Sequence, residues 1–267
     1  MPRHSIYSAV IFSVKPLGEN NASVRLFAKD GGILYATLYG GRKSRLRSLA
    51  SPWNAGTAYL SHGRDGASFK LSDFDVQKYH LSFREDLLKN YAAALAAELV
   101  IKTGAGGGSK QCWPLLNGFI DGMELCQSPE ECRAALIRFL WRFLNLLGLQ
   151  PDIRACPWCG RQFWTGNSEN SRVQYQSVCK TAVYNPADNN FVCLECLPPA
   201  LRNTASAALS LESMRYLAAV SALPAAESRR ITLSAEADAE LRQFLYRFLE
   251  GACGLHFNSL KTGAGIL

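Results

Sequence analysis

Two Cys-x-x-Cys knuckles, Cys156-Pro157-Trp158-Cys159 and Cys193-Leu194-Glu195-Cys196, stand 33 residues apart and constrain this chain more than any other feature. A two-residue gap lets the backbone turn so that both thiolates of a knuckle reach one tetrahedral Zn²⁺, and two knuckles fill all four positions. No coordination position stays open, so the spacing predicts one structural zinc ion that staples a polar loop rather than activating a substrate. The competing reading is buried or redox thiols. Cys-Pro-Trp-Cys alone fits a thioredoxin-type pair, but the second knuckle and the lack of a surrounding βαβ pattern speak against it. Cys179, inside the gap, and Cys253 with His256 are spare ligand candidates; a lone cysteine is more commonly a small buried hydrophobe. Nine cysteines in 267 residues are too sparse and odd in number for a disulfide scaffold. Met1 to Lys15 carries no secretory pattern, so the chain reads as mature and cytoplasmic with reduced thiols.

The segment holding the knuckles interrupts a body with a changing hydrophobic period. Hydrophobic residues make 48% and charged residues 19% of the chain, enough apolar surface for a core and too little charge for disorder. The longest apolar stretch, Tyr91 to Ile101, is broken by Glu98 and falls short of the roughly 18 residues of a membrane span. Residues 1–80 read as five short strands separated by turn signals. Ile6, Val10, Phe12 and Val14 alternate; Ser23 to Ala28 resumes after Pro16-Leu17-Gly18; Lys29-Asp30-Gly31-Gly32 turns into Ile33 to Tyr39; Trp53 to His62 and Ser68 to Val76 follow. Five strands with long basic connections are compatible with an OB-fold or another small barrel.

From residue 81 the period becomes 3.6. Ser82-Phe83-Arg84-Glu85 resembles a capping box opening a helix towards Gly104, and a second helix is expected over Trp113 to Leu125. Ser128-Pro129-Glu130-Glu131 opens a third, reaching Gly148, with Leu136, Ile137, Leu140, Phe143, Leu144 and Leu147 on its apolar face. Glu131, Arg138, Arg142 and Asn145 share the opposite side. Residues 153–197 are polar and turn-rich, with Asn185 to Asn190 as a loop, and bury little. Helical patterns return at Leu211 to Ala222 and Ser234 to Glu250. The expected organisation is α+β: a five-stranded barrel (1–80), the first part of an all-helical domain (81–152), a four-cysteine insertion (153–197) and the rest of the helical domain (198–267).

Charge is unevenly placed. The net charge is +7, and residues 1–80, with eleven Lys and Arg against five Asp and Glu, carry +6 of it. The densest run is Arg42, Lys43, Arg45 and Arg47 after Gly40-Gly41, a spacing that can follow successive phosphates with steep salt dependence. Trp53, Tyr35, Tyr39 and Phe69 nearby either stack on bases or fill the barrel core. Arg138 and Arg142, one turn apart, either grip an acidic peptide end or form a solvated helix face.

Catalytic patterns fail. Gly104 to Gln111 resembles a P-loop but has Ser109 in place of the second glycine and Gln111 where Ser or Thr would hold Mg²⁺. Ser177 to Lys180 with Lys261-Thr262-Gly263 lacks the Ser-Asp-Asn of a β-lactamase. None of the four histidines carries the following glutamate of a zinc deaminase. The sequence contains no enzyme signature.

Together these motifs resemble the RecO family of bacterial recombination mediators. The likeness rests on Gly41-Arg42-Lys43-Ser44-Arg45 after the third strand, the helix ending Leu146-Leu147-Gly148-Leu149-Gln150-Pro151, and Cys156-x-x-Cys159-Gly160 followed by Cys193-x-x-Cys196. The resemblance implies an N-terminal OB-fold, a helical domain and a projecting zinc ribbon. It also implies a non-enzymatic, nucleoid-associated activity: binding single- and double-stranded DNA, annealing complementary strands, and helping RecR load RecA onto DNA coated with single-strand-binding protein. By correspondence Arg42, Lys43, Arg45 and Arg47 are the basic OB loop, the four paired cysteines the zinc ligands, and Arg138 with Arg142 a site for the acidic tail of single-strand-binding protein. Two other functions fit parts of the pattern: an RNA-binding OB-fold protein with a zinc ribbon, and a zinc-dependent nucleic-acid enzyme.

Overall fold

A computed structural model of the chain describes residues 4–41, 44–63, 68–104, 109–163, 180–199 and 208–267. Arg42, Lys43, Cys179 and the glycine-rich stretch 105–108 lie outside these residues. The chain divides into two compact units, one of residues 1–132 with 256–267 and one of residues 133–255. No helix among the described residues is long and apolar enough to cross a membrane.

The first unit begins with five strands, β1 (His4–Leu17), β2 (Asn21–Ala28), β3 (Gly32–Leu38), β4 (Ala55–His62) and β5 (Phe69–Lys78). They pair in the order β1-β2-β3-β5-β4, and β1 also pairs with β4, so the sheet closes into a barrel without an edge. Only β3 and β5 run parallel. The interior alternates large and small side chains, among them Ile11, Val24, Leu26, Leu38, Leu60, Leu71 and Phe74 beside Ala9, Ala22, Ala36 and Ala58, as a narrow bore requires. Gly56 stands at an irregularity in the β4–β5 pairing; a Cβ there would lie 2.0 Å from the Asp75 carbonyl oxygen, so only glycine permits this approach.

The face of β1 differs from the sequence expectation. The interior takes Tyr7, Ala9 and Ile11, and Val14 joins them after a register shift between Ile11 and Ser13. Val10 and Phe12 point outward and are nevertheless buried, whereas Ile6 is 63% exposed. An aromatic seam covers this outer wall. Phe12 stacks on Phe27 (centroids 6.0 Å apart), Phe27 meets Trp113, and Phe12 meets Trp53, which meets Phe83. Where both faces of a strand are buried, alternation alone cannot tell inside from outside.

Trp53 adopts φ +68°, a left-handed conformation that costs a non-glycine residue about 1–3 kcal/mol. Its N–H donates to the Ile11 carbonyl at 2.7 Å, and its own carbonyl lies 2.7 Å from Nδ1 of the buried His80. His80 Nε2 lies 2.9 Å from Asp121 Oδ1, and Lys78 and Asn117 donate to Asp121 Oδ2. One carboxylate therefore joins the end of β5 to a helix. Asp121→Ala should destabilise the protein by about 1–3 kcal/mol in urea unfolding, a range reduced by the partial exposure of the Lys78 pair.

This unit also holds the helices α1 (Arg45–Leu49), between β3 and β4, α2 (Ser82–Glu85), α3 (Leu87–Lys102) and α4 (Ser109–Glu124). The expected capping box splits in two. Residues 82–85 form their own turn, and the cap of α3 is Asp86, whose carboxylate accepts the Lys89 N–H at 3.0 Å. Ser82 instead binds Glu124 through its hydroxyl (2.6 Å) and N–H. The buried ammonium of Lys89 is satisfied by Ser82 Oγ and by the carbonyls of Glu124 and Cys126, as burial of a charge demands. The chain's end returns as a short helix over residues 258–262, whose first N–H groups, from Asn258 and Ser259, donate to Glu98.

The helix α5 (Pro129–Leu146) starts where expected: Ser128 Oγ accepts the Glu131 N–H, and Glu131 accepts the Gln127 N–H. From Arg133 onward it belongs to the second unit. There the strands β6 (Thr181–Asn185), β7 (Asn190–Cys193) and β8 (Ala208–Ser210) form a sheet in the order β7-β6-β8, followed by α6 (Leu211–Ala222), α7 (Ala225–Ser228) and α8 (Ala235–Cys253). Ser210 and Ser234 cap α6 and α8 with their hydroxyls. The cysteine segment buries more than the sequence suggested. Asn185 to Asn190 is the tip of a hairpin, Ala182, Val183, Phe191 and Val192 are buried, and the Tyr184 ring packs against Phe191, Phe244 and Phe248.

Candidate metal centre and nucleic-acid interface

The two knuckles come together although they are far apart in sequence. Gly160, at φ +72°, lets its N–H turn back to the Cys156 carbonyl at 2.9 Å, and the Cys196 N–H turns back to the Cys193 carbonyl at 3.0 Å. Cys156 and Cys193 are buried, Cys196 is half-buried and Cys159 exposed. The four sulfur atoms lie within 4.8 Å of one another, and Cys159 Sγ is 3.6 Å from Cys193 Sγ. An ion held at the zinc–thiolate length of about 2.3 Å sets tetrahedral sulfurs roughly 3.8 Å apart, so the cluster fits a tetrahedral metal.

Electrostatics agree with the geometry. Burial raises the Cys156 pKa, but N–H groups of Cys193, Trp158 and Cys159 directed at its sulfur outweigh that and bring it down to about 7. Burial and the neighbouring Cys159 and Cys156 push Cys196 up to about 11. One thiolate is favoured and the accumulation of further negative charge is opposed, a conflict that a bound dication removes. Among the described residues this is the one group of three or more potential ligands close enough to share an ion; Cys253 and His256 are not part of it.

The basic run is partly a helix. Leu46 packs on the barrel interior beside Ala50, which anchors α1 and leaves Arg45 exposed and Arg47 half-buried. Of the four aromatics considered with it, Trp53 is core and Phe69 lies against the interior with its ring 4.8 Å from His62. Tyr35 and Tyr39 face outward, 52% and 54% exposed. The guanidinium of Arg25 lies 4.9 Å from the Tyr35 centroid and the Lys70 ammonium 5.4 Å from that of Tyr39. Sequence reasoning missed Arg25 and Lys70. The signal was parity, since both occupy positions opposite in phase to Val24, Leu26 and Leu71.

Arg138 and Arg142 do not form an outer stripe. Arg138 Nη1 donates to the Tyr216 hydroxyl at 3.0 Å, and Arg142 Nη2 donates to the Val220 and Leu223 carbonyls and to Ser228 Oγ. Burial, then repulsion from Arg138, lower the Arg142 pKa, and Arg229 adds to the effect. The reason is that α5 is buried nearly all round: Phe139 and Trp141 are covered as well as Leu136, Leu140 and Phe143, so α6 and α7 lie over the side expected to face water.

Residues 84–261 match the family model described as Recombination protein O C terminal. A DNA repair protein RecO of Syntrophobacter fumaroxidans is 28% identical over 154 residues, which cover 57% of this chain and 60% of that protein. The match thus spans less than two thirds of the relative's length.

Proposed function

The chain belongs to the RecO family, whose C-terminal model covers about two thirds of it, and from this membership we propose a non-enzymatic mediator of recombinational DNA repair. In this reading the protein binds single- and double-stranded DNA, anneals complementary strands and, with RecR, helps load RecA onto DNA coated with single-strand-binding protein. The observation that carries it is the closed β1-β2-β3-β5-β4 barrel, an OB-fold order, bearing outward cations beside exposed tyrosines; OB-folds bind nucleic acid on such walls and their loops. Arg42, Lys43, Arg45 and Arg47 would neutralise phosphates of both strands, lowering the repulsion that opposes pairing. The four-cysteine cluster would hold one structural zinc ion through Cys156, Cys159, Cys193 and Cys196, making this segment a zinc ribbon. Zinc there supplies a crosslink and no chemistry.

Arg138 and Arg142 are the proposed contacts for the carboxylate-bearing tail of single-strand-binding protein. Both side chains are half-buried, with Arg138 Nη1 and Arg142 Nη2 engaged inside their own unit, so the remaining N–H groups of the two guanidinium forks are the ones that would meet the carboxylate.

The test is annealing of complementary DNA strands precoated with single-strand-binding protein, with and without this chain and without ATP. Faster annealing is expected. Unchanged annealing together with retained RNA binding would replace this reading with the RNA-binding one.

A further inference from the structure

Tyr35 and Tyr39 sit four residues apart on β3 and just beyond it, about 13 Å along the strand direction. Leu34, Ala36 and Leu38 point into the barrel, so the two rings and Thr37 between them share the outer wall. Thr37 is the register partner of Lys70 and Tyr35 that of Arg25, which places a cation on the strand to each side. Both rings are more than half exposed, unlike Phe27 and Trp53, which the aromatic seam consumes. Arg25 Nε is buried without a hydrogen-bond partner, a donor that the fold itself leaves unanswered. Beside Tyr35 lies an open groove of about 480 Å³, lined also by Asp30, Gly31, Gly32 and Ile101. The row continues through Gly40 and Gly41 into the basic run.

Resting on the DNA-binding reading above, we infer that Tyr35 and Tyr39 form a base-stacking platform selective for unpaired strands, while the basic loop holds backbone of either kind. A tyrosine face accepts any base, because every base has a π-face. In a duplex those faces are already stacked on their neighbours, so the platform has nothing to offer it. Arg25 and Lys70 each lie over one face of a ring, which leaves the opposite face for a base and sets a cation within reach of the phosphates of a strand stacked there. A base held by its face keeps its hydrogen-bonding edge outward. The platform therefore presents a separated base to an incoming complementary strand, a direct route from binding to annealing.

The experiment uses the full chain and three probes of equal length: a thymidine homopolymer strand, an abasic strand and a duplex. Tyr35→Ala with Tyr39→Ala should weaken binding of the homopolymer about tenfold or more per ring, leave duplex affinity unchanged, and bring the homopolymer close to the abasic strand. Tyr35→Phe with Tyr39→Phe should retain wild-type binding, because the ring and not the hydroxyl makes the contact. Equal losses on strand and duplex, or wild-type protein binding the abasic strand as tightly as the homopolymer, would overturn the platform. Wild-type protein that binds none of the probes would overturn the DNA-binding reading itself, a separate result.

Discussion

Cys159→Ser is expected to yield protein without a stoichiometric metal ion. Cys159 is exposed, so the substitution removes a ligand without disturbing the buried side chains beneath the cluster, and any loss of metal reports coordination rather than core damage. Removing a group that merely orients a ligand already costs about 10–100-fold in metal affinity; removing a ligand should cost more than about 100-fold. Because binding energy at such sites is folding energy, the variant should also be cleaved faster than the wild type by protease at residues 180–197, around the second knuckle. A chelator should reproduce both effects in the wild type, and added Zn²⁺ should reverse them. Cys112→Ala, at a buried cysteine outside the cluster, should keep its metal. One metal ion per chain in Cys159→Ser would refute the assignment of this cluster as a zinc site.

Replacing Arg42, Lys43, Arg45 and Arg47 together by Ala should lower the slope of log affinity against log salt by about 3 to 4, since each phosphate contact contributes about 0.7 on a single strand and 0.9 on a duplex. Between about 50 and 200 mM salt the variant's affinity should then change on the order of a hundredfold less than that of the wild type. Leu46 and Ala50 hold α1 on the barrel, so the four substitutions leave its anchor intact, and thermal unfolding should be little altered. Titration of DNA at several salt concentrations gives the result. An unchanged slope would remove this run from the DNA interface even if affinity fell. The tyrosine substitutions act differently: they discriminate strand from duplex and leave the slope alone, so the two sets of variants separate stacking from charge.

The departures from expectation share one physical character. The capping signal at Ser82-x-x-Glu85 is real as a local pattern, but Glu124, far along the chain, takes the Ser82 hydroxyl, and Asp86 caps the long helix instead. Arg138 and Arg142 look like a polar stripe because the helix reads as amphipathic. Phe139 and Trp141, which border that stripe on either side and are both buried, are the sign that other helices cover it. The hairpin β6–β7 went unseen because its strands are short and set in polar sequence, and its burial comes from the aromatic residues of α8.

What the sequence determined by itself was local: the two knuckles, whose spacing is a property of a few bonds; the cap at Ser128; and a run of cations that no fold could bury unpaired. What only the tertiary structure decided was which of two chemically similar faces meets water. Val10 and Phe12 are as apolar as Ala9 and Ile11, and Trp53 is as aromatic as Tyr35. Closure of the barrel puts one set inside, and the packing of α2 and α4 on its outer wall buries the other, leaving Tyr35 and Tyr39 exposed. That choice depends on contacts between residues distant in the chain, and the alternation of a single strand is the same for either outcome.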